Sequence, residues 1–381
     1  MVNYDFSEIV SRYEQSGLFA RIIDAPAEDA ASCDISLDMA NQPKRFCLDA
    51  LEELDFYSHA ATAIKRTRLF GGAIAVMLAD DGQMLDDPLC LNAVRRVEDL
   101  RVFDASITEP ILSADGSAQA YRVESKYGRF TVHASRCLEF RGDQLPERSK
   151  EVSFWGIPEY NRLSAALDNA EEAFRSIAKL PDRISQWVYS ADGLSLELAA
   201  DGGEKCIMRR LEAIDRTRGM LSMVVIDADS EDYTLLQADF RDVGQTVDAA
   251  KNMLSAVAGI PRRILFGESV PSKTVLAAHD NTSLEVYCNF LQTIQNRLIK
   301  SNAKKLLTTI LHSGVNTGEL QSIPAAFQIS FAAPWSLNEI EKADAALARA
   351  TAQKLRAQTA KTYYDRGLLS PAEIRRSISR E

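Results

Sequence analysis

The sequence predicts an α+β protein, because helical and strand-like segments alternate along a chain long enough for several structural regions. Its 381 residues are 46% hydrophobic and 26% charged, a composition that supports a sizeable buried core. From Pro43 to Arg68 apolar residues recur every three or four positions, which predicts one helix that ends at Gly71-Gly72. Four short β-type runs follow, at Ala73–Ala79, Leu100–Phe103, Tyr121–Glu124 and Arg129–His133. The first 150 residues are therefore expected to mix helices and sheet.

Two amphipathic helices are predicted on either side of a small lobe. The first, Glu159–Leu180, has apolar residues at alternating spacings of four and three and stops at Pro181. The second has the same spacing and ends at Gly259-Ile260-Pro261. The apolar positions are Leu163, Leu167, Ala170, Phe174 and Ile177 in the first helix, and Val243, Val247, Ala250, Leu254 and Val257 in the second. In the lobe, the expected elements are strands at Gln186–Tyr189 and Leu221–Ile226 and a polar helix at Lys205–Arg216.

The last third of the chain is predicted to hold a loop, a long helix and a helical C-terminus. Small and polar residues from Phe266 to Asn281 favour a loop. Thr282-Ser283-Leu284-Glu285 matches a capping box, which predicts a helix from Thr282 to Leu311. The segments that follow are a strand at Phe327–Phe331 with Trp335 at its end, a charged helix at Ser336–Thr359 and a short helix at Pro371–Ser379.

The charge and the cysteines restrict the possible functions. A net charge of −10 and a pI near 5.2 argue against a protein that holds nucleic acid by neutralising phosphates. The six cysteines stand singly, which disfavours a zinc framework or a disulfide scaffold and suits a reducing bacterial cytoplasm. The apolar runs are far shorter than the ~20 residues of a bilayer span, so neither export nor membrane insertion is expected.

Catalytic motifs were weighed against structural explanations. The chain has no phosphate-binding G-x-x-x-x-G-K-[ST] loop and no G-x-S-x-G elbow. His133-Ala134-Ser135 fits half of the paired His-x-Ser/Thr arrangement of phosphodiesterases, but none of the other three histidines has a hydroxyl two residues on. We therefore expect His133 to be a structural residue at the end of a strand, and Ser272-Lys273 to be part of a polar loop rather than a catalytic dyad.

Several segments, in the same order along the chain, resemble the phage portal protein family. They span roughly residues 15–375. The most specific is Asp239-Phe240-Arg241-Asp242 through Ala258-Gly259-Ile260-Pro261-Arg262-Arg263-Ile264-Leu265-Phe266-Gly267, which is similar to the second stem helix and its exit. His133-Ala134-Ser135-Arg136-Cys137-Leu138-Glu139-Phe140 resembles the family's His-x-Ser-Arg strand. The other segments are Phe19–Asp29, Phe154-Trp155-Gly156-Ile157-Pro158 and Gly367–Arg376.

The resemblance implies a portal-protein fold: an α/β wing, a two-helix stem, a small α+β clip, a long wing helix and a short helical crown. The implied regions are the wing (1–158), first stem helix (159–180), clip (181–238), second stem helix (239–261), tunnel loop (262–281), long wing helix with a returning strand (282–335) and crown (336–381). The implied stem residues are Leu163, Leu167, Phe174, Val247 and Leu254. The implied channel residues in the tunnel loop are Ser269, Pro271, Ser272, Lys273 and Thr274.

The function implied is that of a ring, a dodecamer in the family, at one capsid vertex of the virion. Such a ring is a passive conduit for double-stranded DNA in packaging and ejection. It docks the terminase large subunit, the major capsid or scaffold protein and the head-tail adaptor, after assembly in the host cytoplasm. Twelve copies would carry −10 × 12 = −120 formal charges, which would repel DNA rather than clamp it. No enzyme activity, cofactor, metal or membrane is expected; the alternatives are another phage head-tail structural protein or a His-x-Ser phosphodiesterase-like enzyme.

Overall fold

The computed structural model describes residues 4–126, 128–144, 154–179, 185–194, 198, 202–221, 231–237, 243–268, 275–332, 351 and 354. The first elements are α1 (Phe6–Gln15), α2 (Gly17–Ala31), β1 (Ile35–Asp38), α3 (Asn41–Glu53) and α4 (Phe56–Phe70). The prediction of a single helix from Pro43 to Arg68 is wrong, because α3 and α4 are separate helices. Between them Asp55 has φ of 45°, a left-handed conformation that an α-helix cannot continue through and that Asp tolerates better than most residues.

Two antiparallel sheets follow. One has the order β3-β2-β7, with β2 (Gly72–Asp80) between β3 (Arg96–Asp104) and β7 (Cys137–Arg141). The other has the order β4-β5-β6, formed by β4 (Thr108–Leu112), β5 (Ala118–Ser125) and β6 (Gly128–His133). The four predicted strands are present as β2, β3, β5 and β6. Most of β7 lies in the segment His133–Phe140 that the resemblance implied as a strand, whereas β4 was not predicted. Strand β2 is buried from Gly72 to Met77. Helix α4 and the helix at Lys300–Thr317 both pack against its sheet.

The two predicted amphipathic helices are present as α5 (Tyr160–Ala178) and α7 (Val243–Ala258), and they pack side by side. Between them lie β8 (Ser185–Ala191), α6 (Gly203–Leu221) and β9 (Glu231–Gln237). Of the strand predicted at Leu221–Ile226, Leu221 is instead the last residue of α6, and residues 222–226 lie outside the described residues. The strand that pairs with β8 is β9, which was not predicted. Pairing between distant segments, which a short apolar run does not reveal, selected that strand.

The long helix begins earlier than predicted. After the short α8 (Arg262–Phe266), α9 (Val275–Ile294) starts at Val275 instead of Thr282, so the non-helical stretch is shorter than the predicted loop. The residues before Thr282 include Leu276, Ala277 and Ala278, and leucine and alanine are strong helix formers. The helix continues through a π-turn (Gln295–Ile299) into α10 (Lys300–Thr317).

The strand predicted near Phe327 is β10 (Gln328–Phe331), and it pairs with β1 close to the start of the chain. Trp335 and the predicted C-terminal helices lie outside the described residues, apart from positions 351 and 354, which are helical. Among the helices in the described part of the chain, none combines the length and the apolar character that crossing a membrane requires.

Candidate functional site

The candidate site is the stem, the pair formed by α5 and α7. Leu163, Leu167 and Leu254 are 1%, 0% and 0% exposed and belong to one continuous core. Phe174 is partly buried and meets the ring of Phe266 edge-on, with 6.2 Å between the ring centroids. Val247 is also partly buried on α7. The stem residues predicted from the sequence therefore lie on the inner faces of the pair or at its edge.

One side of α7 carries apolar residues that stay exposed among the residues that the structure describes. Met253 and Val257 are 52% and 47% exposed, and Ala249 and Ala256 on the same side are exposed as well. The expectation that Val257 lies on the buried stripe is wrong. A straight helix turns once every 3.6 residues, so Ala258 rather than Val257 follows Leu254 on the inner face. We call Ala249, Met253, Ala256 and Val257 the outer stripe of α7.

Polar contacts fix the first stem helix to the N-terminal helices. Glu171 on α5 forms an ion pair with Arg12 at 3.1 Å and accepts a hydrogen bond from the Ser16 hydroxyl at 2.5 Å. Arg12 also pairs with Asp168, and the Tyr160 hydroxyl donates to Glu8 at 2.9 Å. These contacts fix the direction of α5 relative to α1 and α2.

The exit of the second stem helix is held by a cluster of charges. Glu268 accepts hydrogen bonds from Lys251 at 2.8 Å and from Arg262 at 2.9 Å. Arg262 also reaches Asp248 at 2.8 Å and Asn252 at 3.0 Å. The hydrogen bonds from Lys251 and Arg262 hold the pKa of Glu268 below its ordinary value. This cluster, which sequence reasoning missed, fixes the chain at the last described residue before position 269.

A junction of glycines lies between the end of α4, the end of β7 and the start of α5. The carbonyl oxygen of Gly71 accepts hydrogen bonds from the amides of Gly142 and Gly156, at 2.9 and 2.8 Å. A Cβ on Gly71 would lie 2.1 Å from the Gly156 carbonyl oxygen, and one on Gly72 would lie 2.2 Å from the ring of Trp155. Three separate segments of backbone therefore meet at distances that only glycine allows.

The His133-x-Ser135-Arg136 segment serves structure. The Ser135 amide donates to His133 Nδ1 at 3.2 Å, and the Ser135 hydroxyl lies 2.8 Å from the same nitrogen while it accepts from the Leu89 amide at 2.8 Å. Arg136 donates to the Asp87 carbonyl at 2.8 Å and to the Asp81 carboxylate at 2.7 Å. These contacts fasten the 81–95 connection onto the sheets.

Two further observations concern chemistry and the channel residues. Among the residues that the structure describes, no group of three or more His, Cys, Asp or Glu side chains is placed to hold a metal ion. The predicted channel residues Ser269, Pro271, Ser272, Lys273 and Thr274 lie outside the described residues.

Comparison with known proteins agrees with this architecture. The sequence pattern of the family described as phage portal protein matches residues 7–355. Chains from the gene transfer agent (GTA) particle have the same fold. One, from the neck of the empty particle with C6 symmetry, has a TM-score of 0.54 at 14% identity and covers 98% of this chain and 93% of that one. Another, from the neck of the native particle with C12 symmetry, has a TM-score of 0.51 at 14% identity over the same shares.

The family match over residues 7–355, together with this fold, identifies a structural subunit of phage-type particles. The chain belongs to the phage portal protein family. A protein of Sphingomonas paeninsulae named anti-CBASS protein Acb1 is 24% identical over an alignment 392 residues long. The alignment covers 96% of this chain and 58% of that protein. The chain therefore spans a little more than half of the length of that relative.

Proposed function

We propose that this portal protein assembles into a ring of twelve copies at one capsid vertex, and that DNA passes through the ring during packaging and ejection. The observation that carries the proposal is the outer stripe of α7, whose large apolar side chains Met253 and Val257 are half exposed in one chain. Contiguous apolar surface of this kind marks an interface. The likeness to a chain from a neck with C12 symmetry supports a second copy as the occupant.

The ring is tested by replacing a residue of the outer stripe. We expect the parent protein to form rings with a central channel in electron micrographs, and Met253→Asp to shift the population towards single chains. A carboxylate buried between two copies would lose its hydration without gaining a partner. The readout is particle mass together with two-dimensional class averages.

Met84→Asp is the matched control. Met84 is 75% exposed in the 81–95 connection, remote in sequence from the stem, so the same substitution there should leave ring assembly unchanged. A parent protein that stays a compact monomer at all salt and protein concentrations would contradict the ring. Equal loss of rings in both variants would contradict the stem interface.

The tunnel loop is proposed to face the channel. Of the range 262–281 assigned to this loop from the sequence, Arg262–Phe266 and the residues from Val275 on are helical, so the proposal concerns residues 269–274. They follow Glu268, which Lys251 and Arg262 hold, and precede α9. Within residues 269–274 Lys273 is the only basic side chain, enough to touch a passing phosphate but too little to hold DNA. Deletion of Val270–Thr274 should leave rings intact and impair DNA packaging or retention. Rings that fail to form would show that the loop is structural.

The proposal includes no catalytic step. His133 forms hydrogen bonds with the neighbouring Ser135 and with the 81–95 connection. The sequence lacks a second His-x-Ser/Thr motif. The name of the Sphingomonas relative describes that longer protein, so its activity is not carried over to this chain. Assays with ATP and cyclic oligonucleotides should show no turnover. Turnover that disappears in His133→Ala would favour the phosphodiesterase alternative.

The partners follow from the same proposal. In a ring at a capsid vertex, the lobe formed by β8, α6 and β9 projects from the stem as the clip. We propose that it docks the terminase large subunit during packaging and the head-tail adaptor afterwards, while the wing meets the major capsid or scaffold protein. Leu198, Met208 and Leu211 of the lobe are 51%, 53% and 37% exposed, which supports a docking role for this end.

A further inference from the structure

The long helix formed by α9, the π-turn and α10 contains one residue more than a regular α-helix would have. Over Gln295–Ile299 the hydrogen bonds widen, and the Lys300 amide donates to the Gln295 carbonyl, five residues back. A π-turn of this kind is equivalent to a single inserted residue and occurs often at functional sites. Its position between α9 and α10 suggests a specific role.

The extra residue keeps two buried faces on the same side. On a continuous helix, at about 100° per residue, Ala303, Leu306 and Ile310 would lie about 60–120° around the axis from Leu291. Subtracting the ~100° of one inserted residue brings all three to within about 40° of Leu291. The structure shows these residues buried in one core with Leu291. The π-turn thus matches the apolar stripe of α9 to that of α10.

Three side chains hold the π-turn in its present position. Gln295 is buried and donates to the Ala30 carbonyl of α2 at 3.0 Å. Arg297 pairs with Asp143 and donates to the Arg141 carbonyl at 3.2 Å. Asn302 donates to the Leu298 carbonyl at 2.8 Å, and so satisfies an oxygen within the irregular turn, and also to the Glu139 carbonyl at 2.7 Å.

The surroundings of the π-turn contain free space. A cavity of about 310 Å³ is lined by Phe290, Ile294, Arg297 and Leu298, and it extends to the glycine junction at Gly142. A more open groove of about 590 Å³ is lined by Arg297, Leu298, Ser301 and Asn302. Both spaces open to solvent, so the side chains that line them can change rotamer without displacing close-packed neighbours.

We propose that the π-turn is a conformational joint of the long helix. It moves by a few residues along the helix between Phe290 and Asn302, and it turns the residues that it passes by about 100° while both ends of the helix keep their buried faces. The direction of α9 relative to α10 changes as a result, and with it the position of the segment that precedes Val275. Its effect on DNA passage rests on the proposed portal function; the joint itself does not.

Deletion of Asn296, an exposed residue within the π-turn, tests the joint. The deletion should convert the region into a continuous α-helix with both stripes still in phase, so full-length protein should fold and assemble like the parent. Hydrogen-deuterium exchange should be faster in Gln295–Ile299 of the parent than in α9 and α10, and it should slow roughly tenfold or more in the deletion variant.

Deletion of Lys304 is the matched control. Lys304 is exposed but lies in the regular turns of α10. If the π-turn were lost to compensate for the deletion of Lys304, Asn302 and Ala303 would be turned out of the core. This variant should therefore be strongly destabilised. The comparison separates loss of the extra residue from the general effect of shortening the helix.

The outcomes are distinct. The joint is contradicted if deletion of Asn296 abolishes folding as deletion of Lys304 does, or if exchange in Gln295–Ile299 is as slow as in the flanking helices and does not change on deletion. Slowed exchange in an assembled variant that yields fewer DNA-filled particles supports both the joint and its part in DNA passage. Slowed exchange with normal packaging supports the joint and contradicts only that part.

Discussion

At the level of single residues, Asp81 and Arg136 form an ion pair that is buried from solvent. Their side chains are 0% and 1% exposed, and the guanidinium and carboxylate are 2.7 Å apart. Asp81 also accepts from the amides of Cys90 and Gln83 at 3.0 and 3.2 Å, so the buried charge is well satisfied. Burial by itself raises the pKa of Asp81, but the hydrogen bonds from Arg136 and the two amides outweigh it and leave the pKa below the ordinary 3.8.

We expect Asp81→Asn to lower the free energy of unfolding by about 3–5 kcal/mol at pH 7, because it leaves the Arg136 charge buried without its partner. Urea denaturation of the parent and the variant measures the difference. Asp115→Asn is the control: Asp115 lies in an exposed turn, so the change there should be within about 0.5 kcal/mol. Equal losses in the two variants would contradict the importance of the buried pair.

The same pair predicts a pH dependence. A carboxyl whose pKa is lowered on folding contributes stability above its unfolded pKa, and the contribution is lost as the pH falls through the folded pKa. The difference in unfolding free energy between the parent and Asp81→Asn should therefore stay constant from pH 7 to about pH 5 and shrink below about pH 4. A difference that widens on acidification would contradict the lowered pKa.

At the level of secondary-structure elements, the glycine junction decides how the stem leaves the wing. Gly71 ends α4 with φ of 83°. Its carbonyl oxygen accepts hydrogen bonds from Gly142, which follows β7, and from Gly156, which precedes α5. Trp155 closes the junction by stacking on Tyr121, with ring centroids 6.0 Å apart, and by donating to the Thr108 carbonyl at 3.2 Å. The two sheets and α5 are therefore coupled at one point.

We expect Gly71→Ala to destabilise the protein far more than Gly82→Ala. Both glycines have positive φ, 83° and 75°, so both substitutions incur a backbone cost of about 1–2 kcal/mol. Only at Gly71 does the new methyl group meet another backbone, at 2.1 Å, while Gly82 has open space around it. The additional loss at Gly71 should be at least about 1–3 kcal/mol, measured by thermal or urea denaturation. Similar losses in the two variants would show that close packing at the junction is unimportant.

At the level of the whole molecule, the charge matches a conduit rather than a DNA clamp. Each chain carries 54 acidic against 44 basic residues, a net charge of −10. A protein that neutralised many phosphates would hold DNA tightly at low salt and would slow its passage. We therefore expect assembled rings to bind linear double-stranded DNA no better than about 10⁻⁶ M at physiological salt, as measured by fluorescence anisotropy. Tighter binding that falls steeply with salt would indicate a cationic surface and contradict a repelling channel.

The elements that the sequence predicts well are those with a strong local pattern. Helices α5 and α7 follow from the spacing of their own apolar residues, because burial of one face requires that spacing whatever the rest of the fold does. Strand β2 follows from a continuous apolar run, Ala73–Ala79, which suits a strand buried on both faces. The ordered segments from Phe19 to the second stem helix predicted the portal family, which the family match over residues 7–355 confirms. The absence of nucleotide-binding and hydrolase motifs was likewise readable from the chain alone.

Only the tertiary structure decided the features that depend on contacts between distant residues. Strand β1 exists because β10 pairs with it from the other end of the chain, with Ile35 opposite Phe331. The earlier start of the long helix, the break at Asp55 and the exposure of Val257 likewise depend on how neighbouring elements pack. The Asp81–Arg136 pair, the glycine junction and the π-turn have no local signal, since each satisfies a partner remote in sequence. Short-range spacing thus determined the helices and strands that bury a regular apolar pattern, whereas long-range packing selected strands such as β1 and β9 and determined where the elements bend, meet and remain exposed.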